Sequence, residues 1–532
     1  MPSRGLLGFR YRVLLLSLSL LLSSRESLWS QAAAPDTASQ QSASLQDSVI
    51  ELQKQVRELQ AAVQEIHAEA AQYRAEVVAL QKELEGAQLQ LASKAGPSPA
   101  QAQGGTSGDA AGSTENTQSP EQRLAKVEEE QQLLSAKVDD QYQTKVESAS
   151  KYRLKISGIV LLNMFGNQGS VDNLDFPTTA APRAAQDSRG SFGGSLRQSE
   201  IGLEVFGPEF AGAKTSAGVQ FDFSGGFPAY SNGVTEGIMR LRTATVRLDW
   251  RNTSVVAGQD SLFFSPLTPT TFASLSIPAL AYAGNLWSWT PQLRIEHRTH
   301  ISEDSSLLFQ GGILDSLSGE TPASQYFRQP QAGEKSGQPG YAARAAWAHN
   351  VFGRPFTVGA GGYYGRQHWG FDRTVDGWAG TSDLSLPLNR WLSLSGEFYR
   401  GRGIGGLGGG LGRSALWKGP LSNPATSVVG LDSMGGWTQL KFKPTESTIE
   451  FNAAFGQENP FAREVRAVNG FSGGQLPYFD SVVRNQSAFA NVIFRPRSDL
   501  VFSLEYRRLN TFGLDHSSEM ANHIGTSMGI IF

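Results

Sequence analysis

The chain has no cysteine among its 532 residues. Disulfides, thiolate metal sites and cysteine nucleophiles are therefore excluded. Net charge is also scarce, at a formal −3. No strongly basic stretch stands out, so nothing suggests a nucleic-acid partner. Beyond the N-terminal segment, no apolar run is long enough for a membrane helix. Seven histidines are scattered without metal-ligand spacing, so neither metal nor cofactor is expected. Glycine, in contrast, is abundant (58), and aromatics reach 10%. A hydrophobic share of only 39% does not rule out a membrane barrel, because its lumen-facing and lipid-facing residues alternate.

Four segments follow one another. Residues 1–34 read as a signal peptide. Arg4, Arg10 and Arg12 precede an apolar core from Val13 to Leu22, and Ala32-Ala33-Ala34 fits an A-x-A cleavage site. Residues 35–93 carry a heptad repeat. Val49, Val56, Val63, Ala70, Val77, Leu84 and Leu91 form one seam, and Leu45, Leu52, Leu59, Ile66, Tyr73, Leu80 and Ala87 the other. This spacing predicts a coiled-coil rod of about 70 Å, and it leaves dimer and trimer both open. Residues 94–120 are a Gly/Ser/Pro/Ala-rich linker, and residues 121–150 resume a short second coiled-coil segment.

From 151 to 532 the pattern changes to short strands. Sixteen runs are expected: 153–164, 198–206, 214–223, 239–250, 254–260, 291–298, 306–314, 340–348, 356–366, 376–386, 392–400, 435–443, 447–456, 486–495, 500–509 and 522–532. The gaps after even-numbered runs are short. The others are mostly long, such as 165–197, 261–290, 315–339, 401–434 and 457–485. Short turns on one side and long loops on the other are the arrangement of an outer-membrane barrel, with turns and N-terminus periplasmic. Each clear run has one apolar parity. Leu154, Ile156, Val160, Leu162 and Met164 form it in the first, and Leu500, Phe502, Leu504 and Tyr506 in the fifteenth. Those sets face lipid and the opposite parity faces the lumen. Trp250, Trp347, Trp378, Trp391 and Trp437 fall near run ends, where interfacial girdles sit. The final run closes on Phe532 in the apolar parity of Ile524, Met528 and Ile530. A last strand that ends on an aromatic has to pair with the first to remove the sheet edges.

The expected fold class is thus all-β transmembrane: a 16-stranded antiparallel outer-membrane β-barrel with an N-terminal α-helical coiled coil. In its order of segments the chain resembles the trimeric general porins, and more narrowly the DcaP-like outer-membrane porins. Leu154-Lys155-Ile156-Ser157-Gly158, Arg240-Leu241-Arg242, Val256-Ala257-Gly258-Gln259-Asp260 and Pro291-Gln292-Leu293-Arg294-Ile295 carry the local likeness. The resemblance implies a homotrimer in outer-membrane lipid and lipopolysaccharide, passing small, often anionic solutes such as dicarboxylates. It also implies that the outer-membrane assembly machinery reads Phe532 as its insertion signal. The chain departs from the family in its long linker and in lumen-parity residues that are not strongly basic. The alternative reading is an envelope tether, with the coiled coil binding peptidoglycan or a periplasmic partner.

Loop 261–290 is rich in apolar residues, with Phe263, Phe264 and Phe272 among them, and it follows Asp260. An inward fold that narrows the lumen would bury them; a protomer interface is the competing reading. Candidate pore-lining cations are Arg240, Arg242, Arg294, Arg298, Arg344, Lys441 and Arg507. Candidate anions are Asp222, Glu296, Glu397, Glu450 and Glu505. Rings of charge at a narrow zone would set selectivity; salt bridges that brace the wall are the competing reading for each residue. Arg240 and Arg242 clash in parity with Val246 and Leu248, which predicts a bulge. Gly401 to Gly410 lacks the Lys-Ser/Thr of a phosphate loop and reads as a flexible loop. His516, Ser517 and Ser518 form no constellation legible in sequence. The chain is not expected to be an enzyme.

Overall fold

A computed structural model describes residues 152–322, 324, 326–468 and 481–532. The expected signal peptide, both coiled-coil segments and the linker lie outside the described residues.

Sixteen antiparallel strands close on themselves. They are β1 (Arg153–Gln168), β2 (in two pieces, Gly190–Ser195 and Glu200–Phe206), β3 (Lys214–Asp222), β4 (Arg240–Asp249), β5 (Thr253–Ser261), β6 (Trp289–Ser302), β7 (Ser305–Leu314) and β8 (Gly340–Val351). Then come β9 (Arg354–His368), β10 (Thr374–Pro387), β11 (Leu392–Arg402), β12 (Asp432–Phe442), β13 (Ile449–Pro460), β14 (Val482–Phe494), β15 (Leu500–Gly513) and β16 (Ser518–Ile531). Each pairs with its sequence neighbours, and β16 returns to β1 from Ile159↔Ile531 to Gln168↔Asn522. Phe532 completes the seam. Its N–H donates to the Gly158 carbonyl at 3.0 Å, and the Gly158 N–H donates back at 2.8 Å. Closure matters because each unpaired backbone group left in hydrocarbon costs several kcal/mol.

All sixteen expected runs match a strand, and many strands run longer than expected. The short-turn rhythm holds, with turns such as 250–252, 303–304 and 352–353. On the opposite side, 369–373 and 514–517 are short as well. The expected bulge is present: Gln220 pairs with Thr243 and Phe221 with Leu241, so Arg242 is the extra residue. This is what lets Arg240 and Arg242 face the same side as Arg247.

The outward face is apolar. Leu162, Met164, Phe451, Phe455, Leu504, Met528, Ile530 and Phe532 are all exposed on it. No helix of the described residues is long and apolar enough to cross a membrane; the crossing elements are strands. Trp250, Trp347, Trp378 and Trp391 are exposed, as a girdle requires, but Trp437 is not. It shares the parity of Gln439 and Lys441, so it points inward. There it packs against Ala279, Leu280, Ala283, Ala454 and Phe489.

Candidate functional site: the lumen and its inward loops

Three loops fold into the barrel. The first, L3 (262–288), begins with Leu262, Phe263 and Phe264 packed on inward-facing Leu314, Ala342, Tyr363, Ala379 and Tyr399. It then crosses the inner wall strand by strand. The Thr381 hydroxyl of β10 donates to the Phe264 carbonyl at 2.5 Å. Glu397 of β11 accepts from the Ser265 hydroxyl at 2.7 Å and the Leu267 N–H at 2.8 Å. Gln439 of β12 accepts from the Thr270 N–H at 2.6 Å, and Asn491 of β14 donates to the Thr270 carbonyl at 2.9 Å. Thr271 bonds Glu505 of β15. At the break in β2, Gln198 accepts from the Leu275 N–H at 2.7 Å, and Arg240 donates to the Ser276 carbonyl at 2.6 Å. The loop then doubles back onto Trp437. Gly284, at φ +95°, fits because a Cβ there would sit 2.3–2.5 Å from backbone atoms of Gly436 and Gln457.

L1 (169–189) is tucked in beside it. Arg507 and Asn485 donate to the carbonyls of Pro177 and Thr178, and the Ala180 N–H donates to Thr511. L1 and L3 meet where Asp172 lies near Tyr282. Burial raises the Asp172 carboxyl and pushes the Tyr282 phenol up to about 12, with the Asp172 charge adding to the second shift.

L6 (403–431) is the third inward loop, and here the expectation of a flexible loop is overturned. Ile404, Leu407, Leu411 and Leu416 are almost wholly buried. Leu407 joins the cluster of Phe263, Phe264 and Leu286, and its carbonyl accepts from the Trp287 N–H at 3.0 Å. The glycines permit close backbone packing that side chains would block. A Cβ on Gly406 would meet the Leu317 carbonyl oxygen at 2.2 Å.

Together these loops split the inner wall into two halves. From β8 round to β1 it is covered: Arg344, Asp383, Glu397, Gln439, Glu450, Glu505, Arg507 and His523 are all buried. An amide ladder runs along it. Gln439 donates to Asn452 at 3.0 Å, Asn452 to Asn491 at 3.0 Å, and Asn491 to Glu505 at 3.1 Å. From β3 to β7 a strip stays in contact with water. Gln220, Arg240, Thr245, Arg247, Asp249, Ser254, Asp260, Glu296 and Gln310 are half-buried there, and Arg298 is exposed.

The candidate residues divide accordingly. Arg344 makes a two-bond fork to Asp383 at 2.8 and 2.7 Å, and Arg507 does the same to one oxygen of Glu505 at 3.1 and 2.7 Å. Lys441 lies 3.4 Å from Glu450, which Arg495 also approaches at 3.5 Å, toward the periplasmic end. On the open strip Arg240 pairs with Asp222 at 2.5 Å, and Arg242 with Glu200. Arg294 bridges Asp260 (2.8 Å) and Glu296 (2.7 Å), while Arg247 bridges Asp249 (2.7 Å) and Glu296 (3.3 Å). The Arg298 guanidinium donates to the Ser306 hydroxyl at 3.3 Å. Most of these side chains are thus held in ion pairs along the inner wall. Phe263, Phe264 and Phe272 belong to the inward-folded loop, whereas Asp260 lies on β5, paired in register with Thr290, and is not part of the loop. Phe263 and Phe264 are buried, and Phe272 packs against the Ile159–Leu161–Ile493–Val501 cluster.

Several partners were not anticipated: Glu200, Asp383, Gln198, Asn491 and Asn485. The signal that could have found the covered half is an apolar residue on the polar parity. Leu161, Phe489, Ile493 and Val501 point inward because loops dock on them. At the last turn, Ser517 donates to Asp515 at 2.5 Å, not to His516.

The outer-membrane channel DcaP of Acinetobacter baumannii superposes with a TM-score of 0.53 at 16% identity, over 72% of this chain and 98% of that one. The barrel has the outer-membrane porin fold. An anion-selective porin from Comamonas acidovorans matches over 72% of this chain and all of its own (13% identity, TM-score 0.43). OprB of Pseudomonas putida matches over 74% and 97% (11% identity, TM-score 0.44). No family model and no curated protein matches the sequence. The porin fold, with its apolar outer wall and stranded crossings, places the protein in the outer membrane.

Proposed function

We propose that this protein is a diffusion channel for small hydrophilic solutes, with the water-accessible strip of β3–β7 as its path and L3 as its constriction. The carrying observation is the two-sided inner wall: water meets charge on one side and sealed loops on the other. Along the strip and the wall just behind it, Arg240, Arg242, Arg247, Arg298 and the buried Arg294 stand among Glu200 of adjoining β2, the buried Asp222, and Asp249, Asp260 and Glu296. Those signs nearly balance, so the path favours polar solutes with little preference for charge sign. Single-channel recording across a steep salt gradient tests this. We expect stable conductance with a reversal potential close to zero. An assembled barrel that never conducts would overturn the channel, and a strongly anion-selective potential would overturn the balanced path.

The homotrimer suggested by the porin resemblance, and a role for residues 35–93 as a periplasmic coiled coil that sets the trimer or tethers the envelope, belong to the same proposal. So does Phe532 as an insertion signal. Its exposed ring at the β16–β1 seam supports that role. Phe532→Asp is expected to lower the amount of assembled barrel while leaving conductance per channel unchanged; normal membrane levels would count against it.

A further inference from the structure

Resting on the channel reading, we propose that L6 is a second pore-setting element: a cap whose glycine-rich limb shuts a latent path beneath β9–β14, so that two loops rather than one fix the size limit for solutes.

The limb 403–416 is anchored on four strands and on L3. Gln367 of β9 donates to the Gly403 carbonyl at 2.6 Å. Tyr399 of β11 lines the same cluster as Leu407. Glu458 of β13 accepts from the Gly410 N–H at 2.8 Å. Arg413, wholly buried, donates to the Val482 carbonyl of β14 at 2.6 Å and to the Gly410 carbonyl at 3.1 Å. Trp287 supplies the bond to L3. A sixteen-stranded barrel is too wide for its wall side chains alone to fill. The space between Tyr363, Ala379, Tyr399 and Glu458 would otherwise be open to water, and the L6 limb fills it. L3 lies against this wall too, but its return limb ends at Leu286 and Trp287, where L6 takes over.

The sequence serves this placement. Gly403, Gly408, Gly410 and Gly412 all take positive φ, letting the chain coil tightly enough to fit. Ile404, Leu407 and Leu411 supply the apolar pins. A loop serving only as an outside cover would have no use for three buried pins or a wholly buried arginine at the level of strand carbonyls.

The test replaces residues 405–412 with a short Gly-Ser link in the full chain. Single-channel conductance and liposome swelling in neutral sugars of increasing size are then recorded. With L6 shortened, we expect conductance to rise roughly twofold as lumen cross-section is freed, and larger sugars to enter. Leu407→Asp, which keeps loop length, should give the same change to a lesser degree. Unchanged conductance and size limit in a barrel that still shows heat-dependent mobility would overturn the cap. So would lower conductance, since it would mean that L6 holds L3 out of the path. If the unaltered protein does not conduct, the channel reading fails instead, and the two failures are thereby distinguished.

Discussion

The two halves of the inner wall are built from similar residues put to different ends. In the covered half, Arg507 and Glu505 are sealed under L1 and L3, with Thr271, Asn491 and the Pro177 carbonyl using their remaining bonding capacity. On the open strip, Arg247 pairs with Asp249 and Glu296 but keeps 38% of its side chain in water. A carboxylate–arginine pair under a loop is structural, because removing one partner strands a charge that water cannot reach. The same pair at a water-filled wall is held loosely, and the field it contributes acts on whatever passes. Parity alone cannot separate the two cases; the loops do.

The comparison is broken most directly from the covered side. Arg507→Ala leaves Glu505 buried without its cation, a loss of roughly 3–5 kcal/mol for a broken buried pair. We expect a marked fall in the temperature at which the barrel loses its folded mobility in detergent. A fall no larger than that of an open-strip variant would abolish the distinction. Glu397→Ala is the next largest. It frees the Ser265 hydroxyl and the Leu267 N–H, each costing about 1–3 kcal/mol if left unsatisfied. Because it unpins L3 and not the wall, noisier and larger conductance is expected in a barrel that still assembles. A quiet recording identical to the parent would show that this anchor does not hold the constriction.

Much of this was legible in sequence. The sixteen strands, the lipid-facing parity, the bulge at Arg242 and the inward turn of the loop after β5 follow from period-two patterning and from apolar residues misplaced in a loop. Three things were not. Trp437 looked like a girdle residue because aromatics near strand ends usually are; its register parity decides otherwise. The glycine-rich stretch looked flexible because glycine permits disorder and tight packing equally, and the choice depends on which loops approach it. Asp383 and Glu200 went unnoticed because each lies two strands away from its arginine, across β9 and β3 respectively, and such a partner is fixed by register, which no single strand reveals. In each case the missing information is non-local.

The smallest expected effect sharpens the comparison from the open side. Arg247→Gln keeps hydrogen-bonding capacity toward Asp249 and Ser254 and removes one positive charge from the strip. Since the pair is more than a third exposed, solvent screening should hold the stability change within about 1 kcal/mol. The reversal potential should nevertheless move toward cation preference, because Asp249 and Glu296 lose a shared counter-charge where solutes pass. Stability and selectivity thus trade places between the halves: Arg507→Ala alters the first strongly, Arg247→Gln the second. If Arg247→Gln left the reversal potential unmoved while Lys441→Gln, at the periplasmic end of the covered half, shifted it, the path would run along the other wall.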